Sequence, residues 1–248
     1  MRTMNLVIDQ GNSRTKVALF DPRAGLKKAL VYKHFSSSDV ERIFSLYPVT
    51  DSIISSVVDI EPAVVNALHR LSKRFVLFDH LTPLPIRNDY ATPNTLGQDR
   101  LAAAVGAATL YPERNVLIID AGSAITYDYL TADGTFVGGN IAPGIKMRLA
   151  ALHKMTKKLP LVEPDEAELI PLFGNNTRDA IAAGVLRGVA FEVRGYIRAL
   201  EELPQAQGFE TVLTGGHAPY ILNNVRNTPI HYEKHLTLIG LNRILSVN

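Results

Sequence analysis

Two short segments of this chain place a carboxylate, a glycine and several polar groups within a few residues of one another, a combination suited to handling phosphate. The first is Asp9-Gln10-Gly11-Asn12-Ser13-Arg14-Thr15-Lys16. Glycine lets backbone N–H groups approach an anion, because it carries no side chain and tolerates positive φ. The hydroxyls and Lys16 can meet triphosphate charge, and Asp9 can hold Mg²⁺, usually through water. The second segment is Asp120-Ala121-Gly122-Ser123-Ala124-Ile125-Thr126-Tyr127-Asp128. Aligned on their aspartates, the two share Gly at the third place (Gly11, Gly122), a small polar residue at the fourth (Asn12, Ser123) and Thr at the seventh (Thr15, Thr126). Either turn alone reads equally well as a hairpin tip whose aspartate only stabilises the turn. Their repetition favours phosphate, and no Gly-Lys-Ser/Thr follows a Gly-rich loop, so this is not a Walker sequence.

Other segments have the right chemistry with less specificity. Leu96-Gly97-Gln98-Asp99-Arg100 offers Asp99 as a general base for an accepting hydroxyl, beside Arg100 and after a loop that can be shaped around a small anionic substrate. An aspartate at a helix start is also a common cap, and the residues alone leave both readings open. Thr214-Gly215-Gly216 suits flat contact with a nucleotide base and ribose, or a plain strand-to-helix turn. His231 and His235 have metal-like spacing, but the segment runs into a strand, where residues four apart do not converge; both read as surface histidines.

The elements that must carry these turns follow from hydrophobic patterning. Residues 4 to 9 and 15 to 20 read as strands of a hairpin around Gly11-Asn12, and residues 116 to 120 and 125 to 130 as a second hairpin around Gly122-Ser123. The pattern predicts an internal duplication, with a boundary near residues 111 to 115: an N-terminal α/β lobe at 1–113 and a C-terminal α/β lobe at 114–248. Between the hairpins, strands at 53–57 and 75–78 flank a helix at about 62–72. Asp89 to Gly97 reads as a loop. An Ala-rich helix follows, from Asp99 to about Leu110, whose small residues permit very close packing. Pro143-Gly144 starts a helix with Ile145, Leu149, Leu152 and Met155 on one face. Asn176 or Thr177 caps a long helix to about Leu200, residues 210 to 213 form a strand, and 236–245 complete the second lobe.

Composition narrows the classes. The chain has 248 residues, 46% of them hydrophobic, enough for a packed core. Its 26 basic and 24 acidic residues give a net charge of +2 without any like-charge block, so nucleic acid is not an expected partner. The absence of cysteine rules out disulfides and thiolate zinc sites and suits a reducing compartment. No apolar run approaches the roughly 18 residues a membrane span needs, and Asp9 follows too short a strand for a signal-peptide core. A cytoplasmic protein with no membrane association is expected.

At these residues the chain resembles the type III pantothenate kinases over nearly its whole length. The resemblance rests on the turns Asp9 to Lys16 and Asp120 to Thr126, on Tyr90 and Pro93 leading into Gly97-Gln98-Asp99-Arg100, on Gly138-Gly139 with Pro143-Gly144, and on Thr214-Gly215-Gly216. It implies an actin-like ATPase (ribonuclease H-like) fold, two duplicated α/β lobes with a nucleotide cleft between them. It also implies ATP-dependent phosphorylation of pantothenate, the first step of coenzyme A synthesis. By the same resemblance Asp9 to Lys16 bind ATP phosphates, Ser123, Gly215 and Gly216 contact ATP, and Asp99 accepts the hydroxyl proton. Tyr90 and Gly97 to Arg100 hold pantothenate, Asp120 binds K⁺ or NH₄⁺, and Thr177 reaches the pantothenate of the partner subunit in a homodimer. Gln10, Ser13 and Ser123 depart modestly from the family pattern, and the serines keep their hydroxyl. Two other readings fit the turns: a sugar-type kinase of the same fold, and an actin-like nucleotide switch. Asp99-Arg100 after Tyr90 argues against the switch, which has no need for an acceptor pocket.

Overall fold

The structure, a computed structural model, describes residues 3–165, 170–225 and 227–248. The chain divides into two compact units. One comprises Met1–Pro112, Gly134–Val137 and His235–Asn248, the other Glu113–Asp133 and Gly138–Lys234.

The first unit begins with strands β1 (Met4–Gln10), β2 (Thr15–Asp21) and β3 (Gly25–Tyr32), then α1 (Ser37–Leu46), β4 (Val49–Ser56), α2 (Pro62–Leu71), β5 (Arg74–Leu77), the short β6 (Arg87–Asn88) and α3 (Gln98–Leu110). The sheet order is β3-β2-β1-β4-β5. β1 pairs antiparallel with β2 and parallel with β4. Leu6, Val7 and Ile8 are completely buried, as expected of a central strand covered on both faces. One face joins Leu6, Ile8 and Ile54 to Val40 and Ile43 of α1 and to Val64, Ala67 and Leu68 of α2. Alternation sends Asn5, Val7 and Asp9 to the other face, where Asn5 bonds Asn242 at 2.9 Å.

In the second unit come β7 (Val116–Ala121), β8 (Ala124–Leu130), β9 (Thr135–Pro143), α4 (Ile145–Lys154), the 25-residue α5 (Thr177–Glu201), β10 (Glu210–Thr214), α6 (Ala218–Leu222) and β11 (His231–Tyr232). Its strands run β11-β10-β7-β8-β9. β7 pairs antiparallel with β8 and parallel with β10, so the order of the first sheet is repeated. The first residues of β9 belong with the first unit, where Thr135 and Phe136 pair with β6. Asn176 caps α5, its Oδ1 accepting from the Asp179 N–H at 3.0 Å. Among the described residues no helix is long and apolar enough to cross a membrane.

Two expectations change. The last helix, α7 (Leu236–Val247), belongs to the first unit rather than completing the second. Glycines explain its docking on α3: a side chain on Gly106 would overlap the Leu236 carbonyl, and one on Gly240 the Ala102 carbonyl. In α4, Ile145 and Leu149 are buried and Leu152 packs partly, but Met155 falls at the C-cap and is 84% exposed, so it leaves the apolar face.

Candidate active site

The first turn is built by the β1–β2 hairpin. Asp9 stands opposite Lys16 and Gln10 opposite Thr15, and the Gly11 N–H closes the tip by donating to the Arg14 carbonyl at 3.1 Å. Asn12, Ser13 and Arg14 are exposed. Asp9 is only 7% exposed, with Lys16 Nζ 3.8 Å from its Oδ2. Burial pushes the Asp9 carboxyl above its ordinary value; Lys16 opposes the shift and the negative charge of Asp99 adds to it. Asp99 therefore lies within electrostatic reach of Asp9 in the same unit.

Gly97, not Asp99, is the N-cap of α3. A side chain on Gly97 would overlap Asp99 Oδ1, so glycine leaves room for that carboxylate to fold back over the helix start. Asp99 Oδ1 accepts from the Arg100 backbone N–H at 2.9 Å. Arg100 is buried, its guanidinium 5.5 Å from the Tyr90 ring centre and 5.8 Å from that of Phe136. Cation–π contact with both rings orients the guanidinium. Gln98 is the first helical residue and is half-buried.

In the second unit Asp120 stands opposite Thr126, and the Gly122 N–H donates to the Ala124 carbonyl at 3.0 Å. The hairpin is one residue tighter than the first, where Asp9 faces Lys16. Thr15 and Thr126, matched in sequence, are thus not equivalent in the ladder; Thr126 takes the place of Lys16. Ser123 is exposed at the tip, and Gly144 lies against its carbonyl so closely that no side chain fits. Gly215, at φ +96°, lies against Asp120 Oδ1 and the Ala121 backbone in the same way. Gly216 is exposed beside it. Only glycine meets both the positive φ and the close approach.

His217 was not singled out by sequence. Its backbone N–H donates to the Ala121 carbonyl at 2.8 Å and its Nδ1 lies 2.9 Å from the Gly122 carbonyl. No spacing pattern marks such a residue, since its partners are backbone atoms far away along the chain. Thr177, the first residue of α5, is exposed and lines a cavity of about 520 Å³ with Asn175, Asn176, Ala180 and Leu152. His231 pairs with Glu210 at 3.0 Å, whereas His235 caps α7.

Among the described residues no cluster of three or more His, Asp or Glu side chains is arranged to enclose a metal ion. A cation such as Mg²⁺, which keeps waters and binds through one or two carboxylates plus substrate phosphates, needs no such cluster. The buried Asp9 carboxylate, held 3.8 Å from a single lysine, fits such a partner.

A repeated β-sheet order with an aspartate and a glycine turn at the end of each first strand defines an actin-like ATPase fold. Solved structures share it. A Campylobacter jejuni protein described as a Baf family transcriptional activator aligns over 98% of both chains with a TM-score of 0.62 at 21% identity. The activator of 2-hydroxyisocaproyl-CoA dehydratase from Clostridium difficile, solved with bound ADPNP, covers 96% of this chain and 92% of its own, with a TM-score of 0.52 at 11% identity. At such identities the likeness is one of fold alone. The profile of the type III pantothenate kinase family matches residues 5–199. The type III pantothenate kinase of Phocaeicola vulgatus is 42% identical over 246 residues, 99% of each chain. That of Bacteroides fragilis is 40% identical over 246 residues, 99% of this chain and 98% of its own. The chain belongs to the type III pantothenate kinase family.

Proposed function

We propose that this chain transfers the γ-phosphoryl group of ATP to the primary hydroxyl of pantothenate, giving 4′-phosphopantothenate in the first step of coenzyme A biosynthesis. Family membership over the whole length supports the reaction. The observation that supports the residue assignment is the buried Asp9 carboxylate with Lys16 Nζ 3.8 Å from its Oδ2, in the same unit as Asp99, whose charge is one of the causes that raise the Asp9 carboxyl.

Asp99 orients the pantothenate hydroxyl and takes up its proton as the bond to phosphorus forms. Tyr90, Gly97, Gln98 and Arg100 bind pantothenate, with Arg100 preset by the Tyr90 and Phe136 rings. The amides and side chains of Gln10 to Thr15 hold the ATP phosphates, and Lys16 offsets their charge. Asp9 holds the divalent cation, taken to be Mg²⁺, which when bound offsets charge on the transferring group. Ser123, Gly215 and Gly216 contact ATP. Asp120 would hold a monovalent cation, K⁺ or NH₄⁺, which would supply positive charge to offset that of ATP. Two copies associate through α4 and α5, and Thr177 reaches the partner's pantothenate. This reading places the protein in the cytoplasm.

The test is a coupled ADP-release assay with purified protein, ATP, Mg²⁺ and K⁺, with and without pantothenate. Turnover that depends on pantothenate is expected. Equal ADP release in its absence, or stimulation by a polyol instead, overturns the assignment.

A further inference from the structure

Ser55 lies next to Asp9 in the sheet: in the parallel β1–β4 pair the two residues are register partners. Register partners in a parallel ladder point to the same face. The neighbours Ile8 and Ile54 turn together into the α1–α2 core, so Asp9 and Ser55 turn together to the opposite face. Lys16 is the register partner of Asp9 on its other side, which gives a cross-strand row of Lys16, Asp9 and Ser55.

Ser55 has no exposed surface, and its hydroxyl has no hydrogen-bond partner among the described residues. A hydroxyl in that position is costly, because desolvation is not offset by a bond, and an apolar residue of similar size would serve packing better. The rest of β4 does not tolerate such a group. Ser52, equally buried, points to the other face and bonds Ser72 Oγ at 2.6 Å. Ser56 bonds the Val58 carbonyl at 2.7 Å. Among the described residues the hydroxyls of Tyr127 and Tyr129 are also buried without a partner, but within β4 the orphan is confined to the one serine beside the carboxylate proposed to hold the divalent cation.

We infer that Ser55 is a positioning residue for the nucleotide-bound divalent cation, its hydroxyl bonding a water that Asp9 also holds and that belongs to the hydration shell of the ion. The inference rests on the assignment of the first turn to cation and phosphate given above. It uses the preference of Mg²⁺ to keep waters and to be held through a carboxylate and an outer layer of hydrogen bonds. The hydroxyl gains its partner only when the hydrated ion is present, which accounts for its burial without a bond here. A Ser55→Ala change removes the group with little change in volume.

Calorimetric titration of ADP with and without Mg²⁺ separates the possibilities, together with thermal unfolding of the ligand-free protein. For Ser55→Ala, Mg²⁺-dependent ADP affinity should fall about tenfold, the scale of one lost hydrogen bond near charge. Affinity measured without Mg²⁺ should stay unchanged, and the unfolding midpoint should hold or rise. Ser52→Ala should lower the midpoint without altering Mg²⁺ dependence. Unchanged affinity in Ser55→Ala, an equal loss with and without Mg²⁺, or failure to fold overturns the inference. Asp9→Asn in the same titration tells the two claims apart: if it abolishes Mg²⁺ dependence while Ser55→Ala does not alter it, only the role of Ser55 falls. If Asp9→Asn leaves Mg²⁺ dependence intact, the assignment of the first turn falls with it.

Discussion

The Nδ1 atom of His217 lies 2.9 Å from the Gly122 carbonyl oxygen, while the His217 backbone N–H donates to the preceding carbonyl, Ala121, at 2.8 Å. A carbonyl only accepts, so Nδ1 carries the proton. Two bonds to successive carbonyls fix the plane of the second glycine turn and thereby the direction of its N–H groups. His217→Ala should raise the KM for ATP several-fold, with the KM for pantothenate unchanged, because about one neutral hydrogen bond is lost on the nucleotide side. His217→Asn, which offers a donor in a similar place, should recover part of the loss. Steady-state kinetics with each substrate varied decide this, and equal changes in both KM values would make His217 a general structural residue.

Asp9 makes the ligand-free protein pH-sensitive in a direction opposite to the usual carboxylate. Burial raises its folded-state value above 3.8, with Lys16 lowering it and Asp99 raising it further. Between 3.8 and that raised value the folded chain binds more protons than the unfolded one. The contribution of Asp9 to stability therefore falls as pH rises through this window, and the destabilisation is complete above it. Asp9→Asn should remove this slope and stabilise the ligand-free protein at neutral pH, since Lys16 is exposed enough to remain solvated. Thermal unfolding from acidic to neutral pH is the measurement; a variant less stable than wild type at pH 7 contradicts the argument.

Much of this arrangement was legible in the chain because its carriers are local. The buried runs around Leu6 to Ile8 and Val116 to Ile119 mark central strands, and the glycines after them mark hairpin tips. The edge strand β3 escaped notice because its Lys27 and Lys28 break the alternation and most of its residues are exposed. Long-range docking was equally hidden: nothing near Gly240 says that α7 must return to α3, although the glycine itself marks a close approach. The matched threonines of the two turns show the limit of alignment. One residue of difference in hairpin length sets Lys16 against Asp9 but Thr126 against Asp120. The orphan hydroxyl of Ser55 and the backbone bonds of His217 have no sequence pattern at all, since each depends on a neighbour supplied by the sheet or by a distant loop.

Asp99→Asn keeps the shape of the side chain and an oxygen for the 2.9 Å bond from the Arg100 N–H, so the start of α3 should be preserved. It removes the base. The expected loss in kcat is about 10² to 10⁴, with ADP affinity close to wild type. The same change takes a negative charge from the neighbourhood of Asp9, so the acid-side slope of the stability profile should shift to lower pH. Near-normal kcat would leave Asp99 with a helix-start role only.

The assembly prediction joins residues that no single chain is expected to combine. Thr177 opens α5, where it lines a cavity with Asn175 and Ala180, and the exposed side of this helix carries Gly184, Gly188 and a half-exposed Phe191. Small residues with an aromatic beside them allow close approach of a second helix, and a two-fold contact is the commonest closed form. If Thr177 acts on the pantothenate of the partner, Asp99→Asn and Thr177→Ala proteins are each weak alone but complementary. After subunit exchange, one of the two composite sites in each heterodimer has both native residues, and part of the activity should return. Co-purification of differently tagged copies must show heterodimers in the same mixture. An active monomer at assay concentration, or heterodimers without recovered activity, would mean that Thr177 does not act across an interface.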